Sequence, residues 1–396
     1  MRAMETVKGI DNSARHEPSS QTLCPAGAKL LELLLGRELL PLYEKVQEGR
    51  RLSFEEGIQL YQTPNLSGVG YLANLVRERL HGNRAYYIRN LHINYTNICN
   101  KGCKFCSFYA KKGGPKPYTL MMDEVRERLH SYRHIPITEV HIVGGVNPRL
   151  PYSYYLDLVR TVKAERPEVH IKAFTAVEWE EIARVACKPL TEVLQEMKEA
   201  GLGSIPGGGI EVLSDRIHAT LFPKKIDGKR WLEIARQIAR AGLKQYATLL
   251  YGMGETVAER VQHFLALREL QDETGHFLAL TPLAFHPEGT ELAHLPHTTG
   301  YDDLRNIAVA RLMLDNFPHI KSFWIMNTPA VTQLAIWYGA DDVDGTVHEY
   351  EIVYPDDAPG MRQQVLTRTE LIRLIREAGR DPVERDSLYR EVARDE

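Results

Sequence analysis

The chain has 396 residues, and a hydrophobic content of 43% is enough for a large core. This length allows roughly two or three ordinary domains, or one barrel-sized domain with extensions. The formal net charge is −3, so nothing global favours nucleic acid or an anionic membrane as a partner. No apolar run is long enough to span a bilayer, and the N-terminus lacks a signal-peptide core. We therefore expect a cytoplasmic protein.

The pattern of residues divides the chain into four parts. Residues 1–25 are polar and unpatterned, and we expect them to be disordered. Residues 26–85 contain three runs with apolar residues at helical spacing, which predict an N-terminal helical subdomain. Residues 86–380 alternate between short β-rich runs and amphipathic helical patterns, and residues 381–396 are expected to form a C-terminal tail.

The alternating part predicts the fold class. Strands that alternate with helices pair in parallel through right-handed crossovers. Eight such units predict an α/β protein with a (β/α)8 barrel of the TIM type. A doubly wound open sheet is the alternative, but no glycine-rich dinucleotide fingerprint follows the first strand. The predicted strands are YYIRNLHINYT, EVHIVGG, HIKAFTAVE, LGSIPGGG, QYATLLYG, FLALTPLAF, IKSFWIMN and VHEYEIV.

Barrel enzymes place their chemistry where the strands end, at the C-terminal mouth. The residues that follow the predicted strands are therefore expected to meet there. They are Cys99–Cys106, Gly144 and Gly145, Glu178, Pro206–Gly209, Tyr251–Glu255, Phe285–Glu288 and Asn327–Thr328.

Three of the five cysteines, Cys99, Cys103 and Cys106, lie within eight residues. A disulfide framework would spread an even set along the chain, so the triplet indicates a metal or cluster site. Three thiolates on one loop can hold three corners of an iron–sulfur cubane and leave the fourth iron open. The alternative is a non-enzymatic barrel with structural zinc, which prefers four protein ligands. The nearest fourth ligand would be His92.

The C-x3-C-x2-C spacing, with Phe105 before the last cysteine, resembles the motif of the radical S-adenosylmethionine (SAM) superfamily. The resemblance implies a [4Fe–4S] cluster whose open iron binds the amino and carboxylate groups of SAM. Electron transfer to the sulfonium then breaks a C–S bond and gives a 5′-deoxyadenosyl radical. A closed barrel mouth would hold SAM in place and exclude water.

Other residues at the mouth are expected to contact SAM. The Gly-Gly pair after the second strand resembles a methionine-binding motif, although Val146 stands where an acidic residue is common, and an ordinary turn is the alternative. Glu178 is expected to bind the ribose hydroxyls or the methionine ammonium, with a helix cap as the alternative. The Pro-Gly-Gly-Gly run permits close approach to a ligand. The cofactor-binding set is Phe105, Gly144, Gly145, Glu178, Pro206, Gly207 and Gly208.

Sequence blocks over about residues 30–395 resemble radical enzymes of the menaquinone and deazaflavin pathways; they include HINYTNIC, MKEAGLGSIPGGG and LIREAGRDPVERDSLYR. Within that group, KAFTAVE, PLAFHPEGTEL, FWIM and GADDVDGTV resemble the aminofutalosine synthase family. Dehypoxanthine futalosine cyclases typically have Ser-Pro-Pro-Glu where this chain has Thr-Ala-Val-Glu, and lack a histidine at position 286. The cyclase and a deazaflavin synthase subunit are the alternatives.

The resemblance implies a carbon–carbon bond-forming transferase of menaquinone biosynthesis. The 5′-deoxyadenosyl radical adds to the enol-ether double bond of 3-[(1-carboxyvinyl)oxy]benzoate. The adduct rearranges through the ring, loses carboxylate and becomes 6-amino-6-deoxyfutalosine, so SAM is a co-substrate. The partners implied are this small aromatic dicarboxylate and an electron donor such as flavodoxin or ferredoxin.

The two substrate carboxylates need cations or hydrogen-bond donors. His286 is the first choice, for substrate binding and as a catalytic acid or base, and a structural histidine is the alternative. Further choices for substrate binding are Arg149, Tyr251, Asn327 and Thr328. Met253, Asn327 and Thr328 depart from the usual family pattern at predicted strand ends, where the substrate is selected. The acidic run at 341–344 is expected to be a solvated turn or helix cap rather than a metal site.

Overall fold

A computed structural model describes residues 25–352 and 364–392. The segment expected to be disordered lies outside these residues, apart from Pro25. The described helices are α1 (Pro25–Gln47), α2 (Phe54–Gln62), α3 (Leu66–His81), α4 (Met122–Ser131), α5 (Tyr152–Glu165), α6 (Ala176–Ala186), α7 (Leu190–Ala200), α8 (Asp215–Leu221), α9 (Gly228–Arg240), α10 (Val257–Thr274), α11 (Gly300–Met313), α12 (Trp324–Asn327), α13 (Pro329–Ala335) and α14 (Arg368–Glu377). The described strands are β1 (Arg84–Ile88), β2 (Asn90–Ile93), β3 (Glu139–Ile142), β4 (His170–Ala173), β5 (Leu202–Ile205), β6 (Lys244–Tyr251), β7 (Phe277–Ala284), β8 (His319–Ile320), β9 (Asp342–Gly345) and β10 (Asp381–Glu384).

Seven of the described strands form one parallel sheet in the order β2-β3-β4-β5-β6-β7-β8. Every strand of this sheet is followed by at least one helix. Neighbouring strands in sequence are neighbours in the sheet throughout, so every crossover runs in the same direction along it. The order excludes a doubly wound arrangement and confirms the predicted TIM-type α/β fold.

The eighth position of the barrel is filled differently from the prediction. We expected a strand at VHEYEIV, but β9 lies a few residues earlier and pairs with β1. Residues 341–348 pass beside β8, where the Ser322 N–H donates to the Asp342 carbonyl oxygen over 2.8 Å. Positive φ angles at Asp344 (64°) and Val347 (52°) interrupt the extended backbone, because a strand requires negative φ.

The first predicted strand is also divided in two. It breaks at Arg89, so that β1 leaves the barrel sheet and forms a second parallel sheet in the order β10-β1-β9. The buried Arg89 Nε holds this corner through a 2.9 Å hydrogen bond to Glu384 Oε1. Strand β10 therefore lies within the segment expected to be a tail.

The N-terminal helices pack on the outer helices of the barrel. The Tyr61 hydroxyl of α2 donates to Asn306 Oδ1 of α11 over 2.7 Å, and Arg305 donates to the Leu60 carbonyl over 2.8 Å. A Cβ at Gly70 of α3 would lie 2.5 Å from the Tyr338 ring. The two parts share one core, and the predicted domain boundaries remain a prediction. None of the described helices is long and apolar enough to cross a membrane.

The expectation of a solvated acidic run is wrong. Asp341 and Asp342 are completely buried. Asp341 pairs with Arg311, and Asp342 accepts from Arg385 Nε over 2.5 Å. The carboxylates are buried because each has a buried cation as partner, which is the usual condition for burying charge.

Candidate functional site

A cavity of about 340 Å³ lies inside the sheet and reaches the C-terminal mouth. Residues from separate predicted strand ends meet in its wall, as the barrel rule requires. The sequence-predicted residues that line it include Cys99, Cys103, Phe105, Cys106, Gly144, Gly145, Glu178, Pro206, Gly207, Gly208, Gly209, Phe285 and His286.

The cysteine loop is fixed by main-chain hydrogen bonds to its surroundings. Asn100 N–H donates to Val146 O over 3.0 Å, and Lys104 N–H donates to Leu221 O over 2.9 Å. Gly102 has φ of 58°, a conformation that glycine adopts without strain. The loop is therefore positioned from both sides, by the segment after β3 and by the end of α8.

The glycine pair after β3 is required by the packing of this loop. A Cβ at Gly145 would lie 2.4 Å from the Ile98 carbonyl oxygen, and one at Gly144 would lie 2.7 Å from the Tyr95 ring. Both distances are shorter than real contacts allow. The structure thus supplies a reason for the two glycines that is independent of SAM, and their role in binding methionine stays a prediction.

The three thiols fit an iron–sulfur cluster. Among the described cysteines none forms a disulfide. Burial raises the pKa of the Cys103 thiol to about 12, so a free thiolate there is unfavourable and a metal cation would stabilise it. Burial also raises the pKa of the Cys106 thiol, while the main-chain N–H groups of Tyr109 and Phe108 act to lower it.

Glu178 lies in the first turn of α6 and its carboxylate is saturated by protein donors. Oε2 accepts from the Thr175 N–H and hydroxyl, both over 2.7 Å. Oε1 accepts from the Tyr95 hydroxyl over 2.9 Å and from the Gly144 N–H over 3.0 Å. Burial raises its pKa to about 7 despite these donors. Helix capping and fixing of Gly144 are what the structure assigns to Glu178, and its contact with SAM stays a prediction.

The Pro-Gly-Gly-Gly run packs against the neighbouring strand. A Cβ at Gly207 would lie 2.6 Å from the backbone of Ala247 in β6. Gly209 has φ of 98°, and Thr248 donates to the Gly207 carbonyl over 3.1 Å. The run is held in place, which contradicts the flexible-turn alternative, and all four of its residues line the cavity.

A buried ion pair that the sequence analysis missed lies beside the cysteines. Lys225 pairs with Glu211, and its ammonium lies 5.0 Å from the centre of the Phe105 ring. Burial alone would lower the pKa of Lys225, but Glu211 and Cys103 raise it. Both residues line the cavity. They follow β5 by several residues, and a lysine in a Pro-Lys-Lys turn gives little sign of this role.

A second missed group lies deeper in the cavity. His92, His141 and Lys172 are in-register neighbours on β2, β3 and β4. Lys321, which follows β8, and Asp344 of β9 join them, and all five line the cavity. Each of the first three is the third residue of a short strand, and this repeated polar position is the signal that could have found them.

The remaining predicted substrate residues are outside the cavity lining. The Tyr251 hydroxyl is buried, donates to Asp303 Oδ1 over 2.8 Å and accepts from Asn327 Nδ2 over 2.9 Å. Thr328 caps α13, and Arg149 is exposed. Tyr251, Asn327 and Thr328 contact neighbouring protein groups, and Arg149 faces solvent. Substrate binding by these four residues stays a prediction.

His286 is half-buried at the mouth and lines the cavity. Its Nε2 lies 3.0 Å from the Met326 carbonyl oxygen. A carbonyl only accepts, so this contact places a proton on Nε2 and a lone pair on Nδ1 in the neutral ring. The orientation of the ring is thereby fixed.

Comparison with known proteins decides the family. Residues 93–267 match the Radical SAM superfamily. Residues 274–395 match the CofH/MqnC C-terminal region. The chain belongs to the radical SAM superfamily. Radical SAM enzymes use a [4Fe–4S] cluster and SAM, and the three cysteines supply the C-x3-C-x2-C motif. Family membership overturns the structural-zinc alternative.

Relatives narrow the comparison within the radical SAM superfamily. An aminodeoxyfutalosine synthase from Thermus thermophilus is 47% identical over 358 residues, covering 89% of this chain and 96% of its own. One from Streptomyces coelicolor is 39% identical, covering 88% and 92%. A cyclic dehypoxanthine futalosine synthase from Halalkalibacterium halodurans is 34% identical, covering 88% and 93%. These identities confirm the resemblance to the aminofutalosine synthases.

Solved structures agree on the radical SAM fold. Methylornithine synthase (PylB) aligns with a TM-score of 0.70 at 19% identity, covering 86% of this chain and 97% of its own. The hydrogenase maturase HydG from Carboxydothermus hydrogenoformans aligns with a TM-score of 0.67 at 17% identity, covering 92% and 84%. At these identities the likeness concerns the fold alone.

Proposed function

We propose that this protein is an aminodeoxyfutalosine synthase that joins the adenosyl group of SAM to 3-[(1-carboxyvinyl)oxy]benzoate. The observation that carries the proposal is its similarity to aminodeoxyfutalosine synthases along most of the chain. The cavity supports it, because the cluster cysteines and buried cations suited to an acidic substrate line one space. The cyclic dehypoxanthine futalosine synthase is less similar to this chain than these synthases are. A relative named 5-amino-6-(D-ribitylamino)uracil–L-tyrosine 4-hydroxyphenyl transferase is also less similar to it.

The cysteine end of the cavity is proposed to hold SAM. When bound, the cluster supplies the electron that splits SAM into methionine and a 5′-deoxyadenosyl radical. The Lys225–Glu211 pair offers a cation for the methionine carboxylate and an acceptor for the N–H groups of its amino nitrogen. Glu178 acts on SAM through Gly144, whose N–H it holds, and is in this proposal a positioning residue.

His286 is proposed to bind the substrate at the mouth and to act there as an acid or base. The contact of Nε2 with the Met326 carbonyl supports this, because it fixes the orientation of a titratable ring that lines the cavity. The reaction also needs an external reductant. We propose a small electron-transfer protein such as flavodoxin or ferredoxin, in the cytoplasm, where thiols stay reduced.

The test is a product analysis with anaerobically reconstituted, reduced enzyme. Given SAM and 3-[(1-carboxyvinyl)oxy]benzoate, the enzyme should form an adenosyl adduct identified by mass, and an isotope placed in the adenosyl group of SAM should be retained in it. Parallel reactions contain dehypoxanthine futalosine, or tyrosine with 5-amino-6-(D-ribitylamino)uracil. Turnover of either rival substrate, with only 5′-deoxyadenosine from the benzoate, would reject the synthase assignment.

A further inference from the structure

One layer of the barrel interior is charged. Such interiors are normally filled by branched apolar side chains, and lysine is rarely buried completely. Here Lys172 and Lys321 are 4% and 3% exposed, and they lie 4.7 Å and 5.8 Å from the centre of the same Tyr246 ring. His92 and His141, with ring centres 4.7 Å apart, complete the layer. A buried layer of this kind at the bottom of a cavity indicates function.

The two ammonium groups have unused donor capacity. Lys172 Nζ lies 2.7 Å from Glu139 Oε1, and Lys321 Nζ lies 2.8 Å from Asp344 Oδ2. Each ammonium has three N–H donors, and one carboxylate contact leaves others for a further acceptor. Each lysine–carboxylate pair is neutral overall, and each ammonium keeps unused N–H donors. A ligand carboxylate could accept hydrogen bonds from the unused donors of both lysines.

One ring nitrogen of each histidine in this layer also lacks a partner among the described residues. The Val347 N–H donates to Asn90 Oδ1 over 2.8 Å, which turns the Asn90 amide nitrogen toward His92 Nε2 at 3.4 Å. His92 therefore carries its proton on Nδ1, and this buried donor has no acceptor among the described residues. The buried His141 Nε2 likewise has no partner there. Unpaired buried polar atoms are costly, so the layer is incomplete by itself.

We propose that Lys172 and Lys321, with His92 and His141, bind the ring carboxylate of the aromatic substrate. The inference rests on the proposed function. The reacting double bond has to lie beside SAM, at the cysteine end of the cavity. The ring carboxylate, attached meta to the ether oxygen, is the opposite end of that molecule. It therefore reaches the deeper layer, while the other carboxylate stays near the mouth.

The experiment compares variants with two substrates. Lys172→Met removes the cation, and the pair Lys172→Met with Glu139→Gln also removes the partner charge that would otherwise stay buried alone. The substrates are 3-[(1-carboxyvinyl)oxy]benzoate and 2-phenoxyacrylate, which lacks the ring carboxylate. We expect kcat/KM for the dicarboxylate to fall roughly 10- to 100-fold in both variants, as loss of a charged hydrogen bond predicts. With 2-phenoxyacrylate, wild type and variants should agree within about twofold.

Controls separate binding from folding. Lys244→Met removes a lysine at the opposite end of a barrel strand, where Nζ contacts the Gly275 carbonyl. This variant should leave kcat/KM unchanged for both substrates. SAM cleavage without substrate reports an intact cofactor end. If the first pair fails to fold, Lys321→Met with Asp344→Asn is the second pair.

Direct binding makes the inference independent of turnover. Calorimetric titration with 3-methoxybenzoate should show at least about tenfold weaker binding to the Lys172→Met, Glu139→Gln protein than to wild type. Equal binding, or an equal loss of kcat/KM with both substrates, would overturn the inference. A wild-type enzyme that binds 3-methoxybenzoate but forms no adduct would instead overturn the proposed function.

Discussion

At the base of the barrel, Asp341 accepts hydrogen bonds from Arg311 and from His319 Nδ1, the latter over 2.6 Å. Arg311 also donates to main-chain carbonyls with its other nitrogens. The charged layer of His92, His141, Lys172 and Lys321 at the bottom of the cavity is called the cavity floor here. In it, nitrogens of His92 and His141 have no partner among the described residues. Both groups combine buried histidines with ion pairs in one barrel, but the base group is complete and the floor group is not.

The difference separates residues that stabilise the fold from residues that bind a ligand. A complete buried network rigidifies the fold, whereas an incomplete one costs free energy unless a ligand completes it. Although burial would raise the pKa of Asp341, His81, His319 and Arg311 hold it well below its usual range. We therefore expect substitutions at the base to change the free energy of unfolding, and substitutions around the cavity to change turnover.

The largest effect is expected at the cysteine loop. Cys103→Ala removes one of three cluster ligands, so cluster absorbance and SAM cleavage should both be lost. The free energy of unfolding of the metal-free protein should change by only about 1 kcal/mol, because one small buried group is removed. Visible spectra, product analysis and urea unfolding measure the three quantities.

Cys187→Ala is the matched control. Cys187 is exposed at the end of α6 and does not line the cavity, so this variant should keep cluster and activity. A Cys103→Ala protein that retains cluster absorbance would contradict the assignment of the cluster site. It would also weaken the expectation that cavity residues affect turnover while base residues affect stability.

The base should show the opposite behaviour. Asp341→Asn leaves the buried Arg311 without its counter-ion, and breaking a buried pair typically costs about 3–5 kcal/mol. Urea unfolding of the metal-free protein measures this loss. Activity per folded molecule, assayed well below the unfolding transition, should stay near that of wild type. A stable Asp341→Asn protein with impaired turnover would break the proposed division.

The barrel and the cysteine loop are predictable from the sequence because both depend on local spacing. Strand–helix alternation and three thiols on one loop are visible without tertiary contacts. The positive φ angles at Asp344 and Val347 are not, and the eighth strand was therefore placed too late. The glycine pair was linked to SAM, yet Gly145 is also needed because the cysteine loop packs on it.

The charged floor was missed for a related reason. A search for strands looks for apolar alternation, and it treats a lysine within a strand as a solvated position. Whether Lys172 faces solvent or the barrel interior depends on the register between β3 and β4, which follows from the assembled sheet. Tyr251 and Asn327 show the converse case, since they stand at predicted strand ends and their side chains bond to each other.

The smallest expected effect concerns His263, a completely buried histidine outside the cavity. Its Nδ1 accepts from the Leu213 N–H over 3.1 Å, and its Nε2 lies 3.0 Å from the Thr248 carbonyl. These contacts fit only the neutral ring, and burial lowers its pKa to about 4, below the ordinary value of 6.5. As pH falls below about 6.5, the unfolded chain binds a proton that the folded chain does not, so stability decreases until about pH 4.

Between about pH 7 and 5.5, this histidine should account for a loss of roughly 1 kcal/mol in the free energy of unfolding. His263→Gln removes the titrating group, so its stability should fall less over that range than that of wild type. Urea unfolding at the two pH values measures the difference in slope. An equal pH dependence of the unfolding free energy in the two proteins would mean that the two contacts of His263 do not keep its folded ring neutral. The contrast between the base and the cavity floor would then lose its physical basis.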